Sequence, residues 1–222
     1  MKMTRCLLFD LDGTLLDSRD VIIDGVHYLT EKYVPGLFTR KDLLKRFGEP
    51  IDDLLDIIEQ SLRDKQITKQ QMLDSYFTYI NTHHDEQVQL FPYVKEGLYS
   101  LKSAGYQLGI VTNKQREFTM RGLQTAGILP FFNTIVTLDD VAVGKPSPEM
   151  LIKSMKEIGV TSESSLMIGD SKYDLLAARA AKVPFTALEW YGPEDWQGNS
   201  APNNRYPNFQ QFVQDLLTIK LR

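Results

Sequence analysis

Five short apolar runs, each separated from the next by residues of helical periodicity, restrict what this chain can fold into more than any other feature. They are Cys6 to Phe9, Leu108 to Val111, Thr134 to Val136, Leu166 to Ile168 and Phe185 to Leu188. Each is apolar at successive positions, as a strand covered on both faces requires, and is too short for a helix. Strands that alternate with helices are joined by crossover connections, so the pattern predicts an α/β fold built on a parallel sheet. Cys6 to Phe9 ends at Asp10, with Gly13 shortly after, as expected of a buried strand running into a turn.

The first gap breaks the rhythm. About a hundred residues separate the first run from the second, far more than the usual connection of a few residues. Inside it, Ile22, Val26, Leu29 and Tyr33 fall at helical intervals and stop at Pro35-Gly36. A second stripe runs through Ile51, Leu54, Leu55, Ile58 and Leu62, and a third through Leu73, Tyr76, Phe77 and Ile80. The expectation is a Rossmann-like core of residues 1–15 and 92–222, interrupted by a small α-helical cap of residues 16–91 packed above the carboxyl ends of the sheet. After Leu188 the chain reads as irregular, with Gly192, Pro193, Gly198, Asn199, Pro202 and Pro207, before a last helix carrying Phe209, Phe212, Val213, Leu216 and Leu217.

With 25 basic and 29 acidic residues the net charge is −4, which opposes a surface built for nucleic acid or anionic lipid. Cys6 is the single cysteine, so neither an intrachain disulfide nor a thiolate zinc cluster is available. The first apolar run is too short for a secretory core, and none approaches the roughly 20 residues that cross a bilayer. The expectation is a cytoplasmic protein, monomer or homodimer, with neither nucleic acid nor membrane as a partner.

The chemistry-bearing residues cluster at the ends of the predicted strands. In Asp10-Leu11-Asp12-Gly13-Thr14, extended backbone turns Asp10 and Asp12 to one side and Leu11 to the core. Two carboxylates so close repel, and a divalent cation or a shared proton relieves them; an Asp-Gly pair is also an ordinary turn. Thr112-Asn113-Lys114 precedes a helix opening near Gln115, where a hydroxyl, a side-chain amide and helix N–H groups could hold phosphoryl oxygens; the same residues also read as a helix cap. Lys145 lies in Gly144-Lys145-Pro146-Ser147-Pro148, a rigid frame that fixes where its ammonium points. In Gly169-Asp170-Ser171, Asp170 is a candidate cation ligand, while Asp174 either stabilises a helix start or orients Lys145 or the metal. Carboxylate oxygens suit a hard cation, Mg2+. His27, His83 and His84 have no ligand spacing and read as packing or solvated residues.

With these residues assembled, the sequence resembles the haloacid dehalogenase-like superfamily, and within it the phosphatases with a helical cap inserted after the first motif. All four motifs occur in order: Asp10 to Thr14, Thr112-Asn113, Lys145, and Gly169-Asp170 with Asp174. The resemblance implies that Asp10 attacks phosphorus to give an aspartyl-phosphate and that Asp12 is the acid and base. It implies that Mg2+ binds the Asp10 carboxylate, the Asp12 carbonyl and Asp170, and that Gly13, Thr112, Asn113 and Lys145 hold the phosphoryl group. Dehalogenases lack the second acid, so Asp12 favours phosphoryl transfer. Sugar phosphomutases of this type carry a histidine after the first motif and an arginine after the cap-loop glycine; Leu15 to Gly25 has no histidine, and Gly48 precedes Glu49. Hydrolysis of a small phosphorylated metabolite, a phosphate monoester, is therefore expected, with inorganic pyrophosphatase or phosphomutase activity as alternatives within the family and a phospho-receiver or binding module as one outside it. The strings Arg46-Phe47-Gly48-Glu49-Pro50 and Trp190-Tyr191-Gly192 resemble those of phosphoglycolate phosphatase-like and pyrophosphatase-like members, and Arg46, Phe47 and Glu49 are the candidate specificity residues. The helix after the fourth motif ends in Ala181-Lys182-Val183, where that family often has glycine.

Overall fold

The computed structural model describes residues 5–63, 66–192, 196 and 201–220. Five strands coincide with the apolar runs: β1 (Cys6–Phe9), β4 (Gln107–Val111), β5 (Thr134–Val136), β6 (Ser165–Gly169) and β7 (Phe185–Leu188). A sixth, β8 (Asn204–Tyr206), extends the sheet, whose order is β5-β4-β1-β6-β7-β8 with every neighbouring pair parallel. β1 lies between β4 and β6, Cys6 facing Gln107 on one side and Ser165 on the other. After β5 the chain crosses to the far side of β1 to make β6, so the crevice at the carboxyl end of β1 is where an open α/β sheet admits a ligand.

The pleat of β1 divides its side chains between two cores. Cys6 and Leu8 join Val111, Met150, Leu151 and Met167 in a buried cluster, with Met150 and Leu151 supplied by α7 (Glu149–Ile158). On the opposite face Phe9 meets the Phe209 ring at 5.9 Å, which belongs to α9 (Phe209–Lys220). All four β1 residues are wholly buried, and each such aliphatic or aromatic side chain contributes about 1.5–3 kcal/mol. That burial fixes the strand that carries Asp10.

The chain divides into two compact units, one running up to Asp17 and resuming at Gln89, the other Ser18–Val88. The first unit extends past the expected core bounds of 15 and 92, because β2 (Leu16–Asp17) and β3 (Gln89–Leu90) pair as an antiparallel ribbon within it. Phe91, stacked face to face on Trp190 at 4.3 Å, also belongs there.

The second unit contains α1 (Arg19–Tyr33), α2 (Arg40–Leu44), α3 (Ile51–Ser61) and α4 (Lys69–Gln87). α2 and α4 begin at capping boxes, Thr39 with Asp42 and Thr68 with Gln71. Gly25 lets α1 and α4 meet closely, since a Cβ there would stand 3.0 Å from both Tyr76 and Ile80. Ile23 is buried where the sequence stripe named Ile22, and α4 buries Met72, Ser75 and His84 rather than Leu73 and Phe77. In an isolated stripe the helix face is fixed only to within a residue; the α1 and α4 contact selects it. Of the three histidines, His84 is a buried packing residue.

The remaining helices, α5 (Val94–Ser103), α6 (Arg116–Thr125) and α8 (Lys172–Ala180), flank the sheet with α7 and α9. Of the irregular tail, Pro193, Gly198 and Asn199 lie outside the described residues. Among the described residues no helix is long and apolar enough to cross a membrane.

α8 ends in a Schellman motif: the Val183 N–H donates to the Ala178 carbonyl at 2.8 Å and the Lys182 N–H to the Arg179 carbonyl at 2.9 Å. Lys182 occupies the left-handed position with φ 57, a conformation that costs a residue with a Cβ about 1–2 kcal/mol. Lys182→Gly is expected to raise stability by about 1 kcal/mol, or roughly 2–4 °C in the thermal midpoint. An unchanged or lower midpoint in a reversible melt would remove that account of the position.

Candidate active site

Asp10 extends β1, its N–H still donating to the Ile168 carbonyl of β6 at 2.9 Å. Its Oδ1 accepts from Lys145 Nζ at 2.6 Å, and the same ammonium donates to Asp174 Oδ1 at 2.6 Å. Asp170 follows β6, and its Oδ1 accepts from the Thr14 hydroxyl at 2.9 Å. Asp10, Asp170 and Asp174 each bring a carboxylate oxygen within 4.8 Å of the others. Two carboxylates, Asp10 and Asp174, thus share one ammonium, with the third, Asp170, close beside them, from positions spread over 165 residues of sequence, Asp10 to Asp174.

Asp174 is fixed twice over. Its Oδ2 accepts from the Ser171 N–H and hydroxyl, forming the capping box that starts α8, while its Oδ1 holds Lys145. Asp174 thus both begins a helix and hydrogen-bonds the lysine. Lys145 itself is 4% exposed, and its main chain is clasped by Asn113, whose Oδ1 accepts from the Lys145 N–H at 2.7 Å and whose Nδ2 donates to the Lys145 carbonyl at 2.9 Å.

The Asn113 side-chain amide is thus engaged with the lysine loop at both ends. The Gly13 N–H donates to the Leu16 carbonyl at 2.8 Å. What Gly13 supplies is room: at φ +80, a Cβ would lie 2.2 Å from Asp170 Oδ2. The start of α6 is likewise taken, the Arg116 N–H donating to Asp139 Oδ2 at 2.6 Å. By contrast the N–H groups of Leu11, Asp12 and Asn113 donate to no acceptor among the described residues. The Thr112 hydroxyl accepts from the Lys114 N–H at 3.2 Å and retains its own proton for an acceptor.

Asp12 stands apart from the carboxylate trio. Its Oδ1 accepts from Lys114 Nζ at 2.8 Å, so the two acids of the first motif have separate cations. Two further contacts carry no signal in their own sequence neighbourhood. Trp190 Nε1 donates to the Thr14 carbonyl at 3.0 Å, and Tyr191 donates to Asp17 Oδ1 at 2.6 Å. Through Thr14, Trp190 holds the backbone whose hydroxyl supports Asp170. Arg46, Phe47 and Glu49 belong to the second unit, where Arg46 pairs with Glu49 at 3.0 Å and lies over the Phe38 ring.

Burial pushes the Asp10 carboxyl up to about 7; the charges of Asp174 and Asp12 add to this, while Lys145 opposes it. Burial also raises Asp170 well above the ordinary aspartate value, with the charges of Asp10 and Asp174 adding. Burial lowers Lys145, but the charges and hydrogen bonds of Asp10 and Asp174 outweigh it and hold the lysine above its usual value. The ammonium therefore persists, while Asp10 and Asp170 keep their protons to higher pH than ordinary aspartates and would ionise fully only with more positive charge beside them. Buried oxygen ligands with unbalanced charge fit a hard divalent cation.

A pH dependence of stability follows. The unfolded chain releases the Asp10 proton near 3.8 and the folded protein near 7, so between these values the native state binds more protons. Stability is lost as pH rises through that window. With a chelator present, the thermal midpoint is expected to be higher at pH 5.5 than at pH 8, and millimolar Mg2+ should raise it more at pH 8. Asp170→Asn should flatten the slope; an unchanged slope would place the titrating groups elsewhere.

Residues 7–188 match the haloacid dehalogenase-like hydrolase family. Pyrophosphatase PpaX of Halalkalibacterium halodurans is 37% identical over 218 residues, covering 97% of this chain and 98% of that protein. PpaX of Bacillus velezensis is 37% identical over 189 residues, 85% of each chain. A haloacid dehalogenase-like family hydrolase from Streptococcus pneumoniae superposes with a TM-score of 0.82 at 23% identity, over 97% of this chain and 99% of that one. With carboxylates, lysine and threonine arrayed at the strand ends and a family match across most of its length, the chain belongs to the haloacid dehalogenase-like hydrolases.

Proposed function

We propose that this enzyme, a phosphatase of the haloacid dehalogenase-like family, hydrolyses a small phosphorylated substrate by passing the phosphoryl group through Asp10. The observation that carries the reading is the buried Asp10 carboxylate held at 2.6 Å by Lys145, beside Asp170. A carboxylate so placed is an oriented nucleophile with a cation already at hand.

One Asp10 oxygen forms a bond to phosphorus while the bond from phosphorus to the bridging oxygen breaks. The electron pair stays on the bridging oxygen, which takes a proton from Asp12. In the second half a water gives its proton to Asp12 and attacks the acyl-phosphate phosphorus, releasing orthophosphate and restoring the Asp10 carboxylate. Lys145, the Thr112 hydroxyl and the N–H groups of Leu11, Asp12 and Asn113 are suited to the phosphoryl oxygens, where donors placed in advance stabilise developing charge. Mg2+, held by the Asp10 and Asp170 carboxylates and the Asp12 carbonyl, would offset the repulsion between the anionic nucleophile and phosphate. Gly13 leaves the space in which Asp170 can do this. Arg46, Phe47 and Glu49 are proposed to influence which substrate is preferred.

The relatives named pyrophosphatase support inorganic pyrophosphate as a substrate beside phosphate monoesters. The test is phosphate release from p-nitrophenyl phosphate, pyrophosphate and 2-phosphoglycolate at fixed Mg2+. Multiple turnovers that stop on chelation support the reading. Stoichiometric phosphorylation without turnover would mark a phospho-receiver and overturn it.

A further inference from the structure

The site contains two lysines with different addresses. Lys145 is divided between two carboxylates, Asp10 and Asp174. Lys114 faces the other acid: its ammonium donates to Asp12 Oδ1 at 2.8 Å, with side-chain exposures of 10% and 17%. An ammonium has three donors, and Asp12 is the one side-chain partner of Lys114 among the described residues. Two donors therefore remain on a largely desolvated cation beside the proposed acid.

We propose that Lys114 is a specificity-determining residue that receives a charged leaving group. The site would then favour substrates whose departing portion has its own oxyanion close to the bridging oxygen, namely a diphosphate or a small phosphorylated carboxylic acid. The inference rests on the roles given above to Asp10 and Asp12. If Asp12 gives its proton to the bridging oxygen, that oxygen lies one hydrogen bond from the Asp12 carboxylate. Lys114 lies one hydrogen bond from the same carboxylate, which puts the ammonium within about 5–8 Å of the bridging oxygen, nearer if both bonds use one carboxylate oxygen and farther if they use the two. The next oxygens of a leaving phosphate or carboxylate fall in that interval.

Charge balance separates the substrate classes. When the phosphorus to bridging-oxygen bond breaks, its electron pair remains on that oxygen, which takes the Asp12 proton, while Asp10 gains the phosphoryl group. From p-nitrophenyl phosphate the departing molecule is then a neutral phenol, which needs no counter-ion. From pyrophosphate it is a phosphate anion, and from 2-phosphoglycolate a glycolate anion; both retain charge in a pocket already rich in carboxylates. Lys145 serves Asp10, Asp174 and the transferred phosphoryl group, so Lys114 is the cation placed to meet that charge. A lysine that only held the Asp12 side chain in place would serve all three substrates alike.

Lys114→Gln separates these roles, because glutamine can still donate to Asp12 but has no charge. In full-length enzyme with Mg2+, kcat/KM is measured for pyrophosphate, 2-phosphoglycolate and p-nitrophenyl phosphate, and each charged substrate is expressed as a ratio to the last. The ratio for at least one charged substrate is expected to fall about 100-fold in Lys114→Gln, the scale of losing one preorganised charge partner, and Lys114→Arg is expected to restore most of it. A fall confined to pyrophosphate assigns the diphosphate class, and one confined to phosphoglycolate the carboxylic acid class. Ratios that stay constant, or a wild type preferring neither charged substrate, overturn the inference while leaving the phosphatase reading intact. Absence of wild-type turnover on all three substrates would instead overturn that reading. Should Lys114→Gln fail to fold, the ratios in Lys114→Arg and Lys114→Met carry the same comparison.

Discussion

Asp10→Asn is expected to lower kcat by at least about 10⁴-fold while making the cation-free protein more stable. The loss follows from chemistry: an amide is a poor nucleophile toward phosphorus, and removing a covalent nucleophile leaves only the catalysis that binding and orientation provide. The gain follows from electrostatics. Three carboxylates and one ammonium share the buried cluster, and the substitution would remove one excess negative charge while leaving an amide oxygen to accept from Lys145. With a chelator at pH 8 the variant should gain about 1–3 kcal/mol, roughly 3–10 °C in midpoint. Added Mg2+ should stabilise it less than the wild type. Activity would be read with p-nitrophenyl phosphate and stability by thermal melts with and without cation. Retained turnover would remove Asp10 from the mechanism, and a less stable variant would show that the Lys145 pairing outweighs the crowding.

The residues of the site were legible in the sequence while its wiring was not. Asp10 and Asp170 could be named because each follows a strand whose burial is written in consecutive apolar residues, and Lys145 because glycine and prolines frame it; the parallel sheet then brings the strand ends together. The partners of these residues have no such local signature. Asn113 reaches Lys145 across 32 positions and Lys114 reaches Asp12 across 102. Nothing near Asn113 distinguishes an amide that clasps a loop from one that binds phosphate. Gly13 was legible as a turn, but the spending of its N–H on Leu16 and the nearness of Asp170 depend on how two loops meet.

The same division runs through the fold. β1 and β4 to β7 are apolar and were readable from composition alone, whereas β8, Asn204-Arg205-Tyr206, is polar and mostly exposed at the sheet edge. An edge strand presents one side to solvent and needs little apolar content, so periodicity cannot find it. Its pairing is set by β7, through Thr186 facing Asn204. Trp190 is a further case: its indole holds the Thr14 carbonyl while its ring stacks on Phe91. One residue beyond β7 thus braces both the first-motif loop and the segment after the helical insert, a tertiary role that the Trp-Tyr-Gly string itself does not specify.

Lys145→Met provides the opposite perturbation to Asp10→Asn. Removing the ammonium leaves Asp10, Asp170 and Asp174 facing one another without a counter-ion, at positions where Lys145 and Asp174 are almost wholly buried. Breaking a buried ion pair by deleting one partner typically costs about 3–5 kcal/mol, so the midpoint in chelator at pH 8 should fall by roughly 6–20 °C. Lower pH should restore part of that loss, because Asp10 and Asp170 already have raised pKa values and losing Lys145 removes an influence that lowers both. Mg2+ should restore another part by supplying positive charge to the same carboxylates. Activity should remain at least about 10³-fold down even when cation has returned the fold, since the donor that orients nucleophile and phosphoryl group is gone. The two variants therefore move stability in opposite directions while both abolish turnover. If Lys145→Met melted at the wild-type temperature in chelator, the lysine could not be the charge that holds this trio together, and the electrostatic account of the site would fail at its centre.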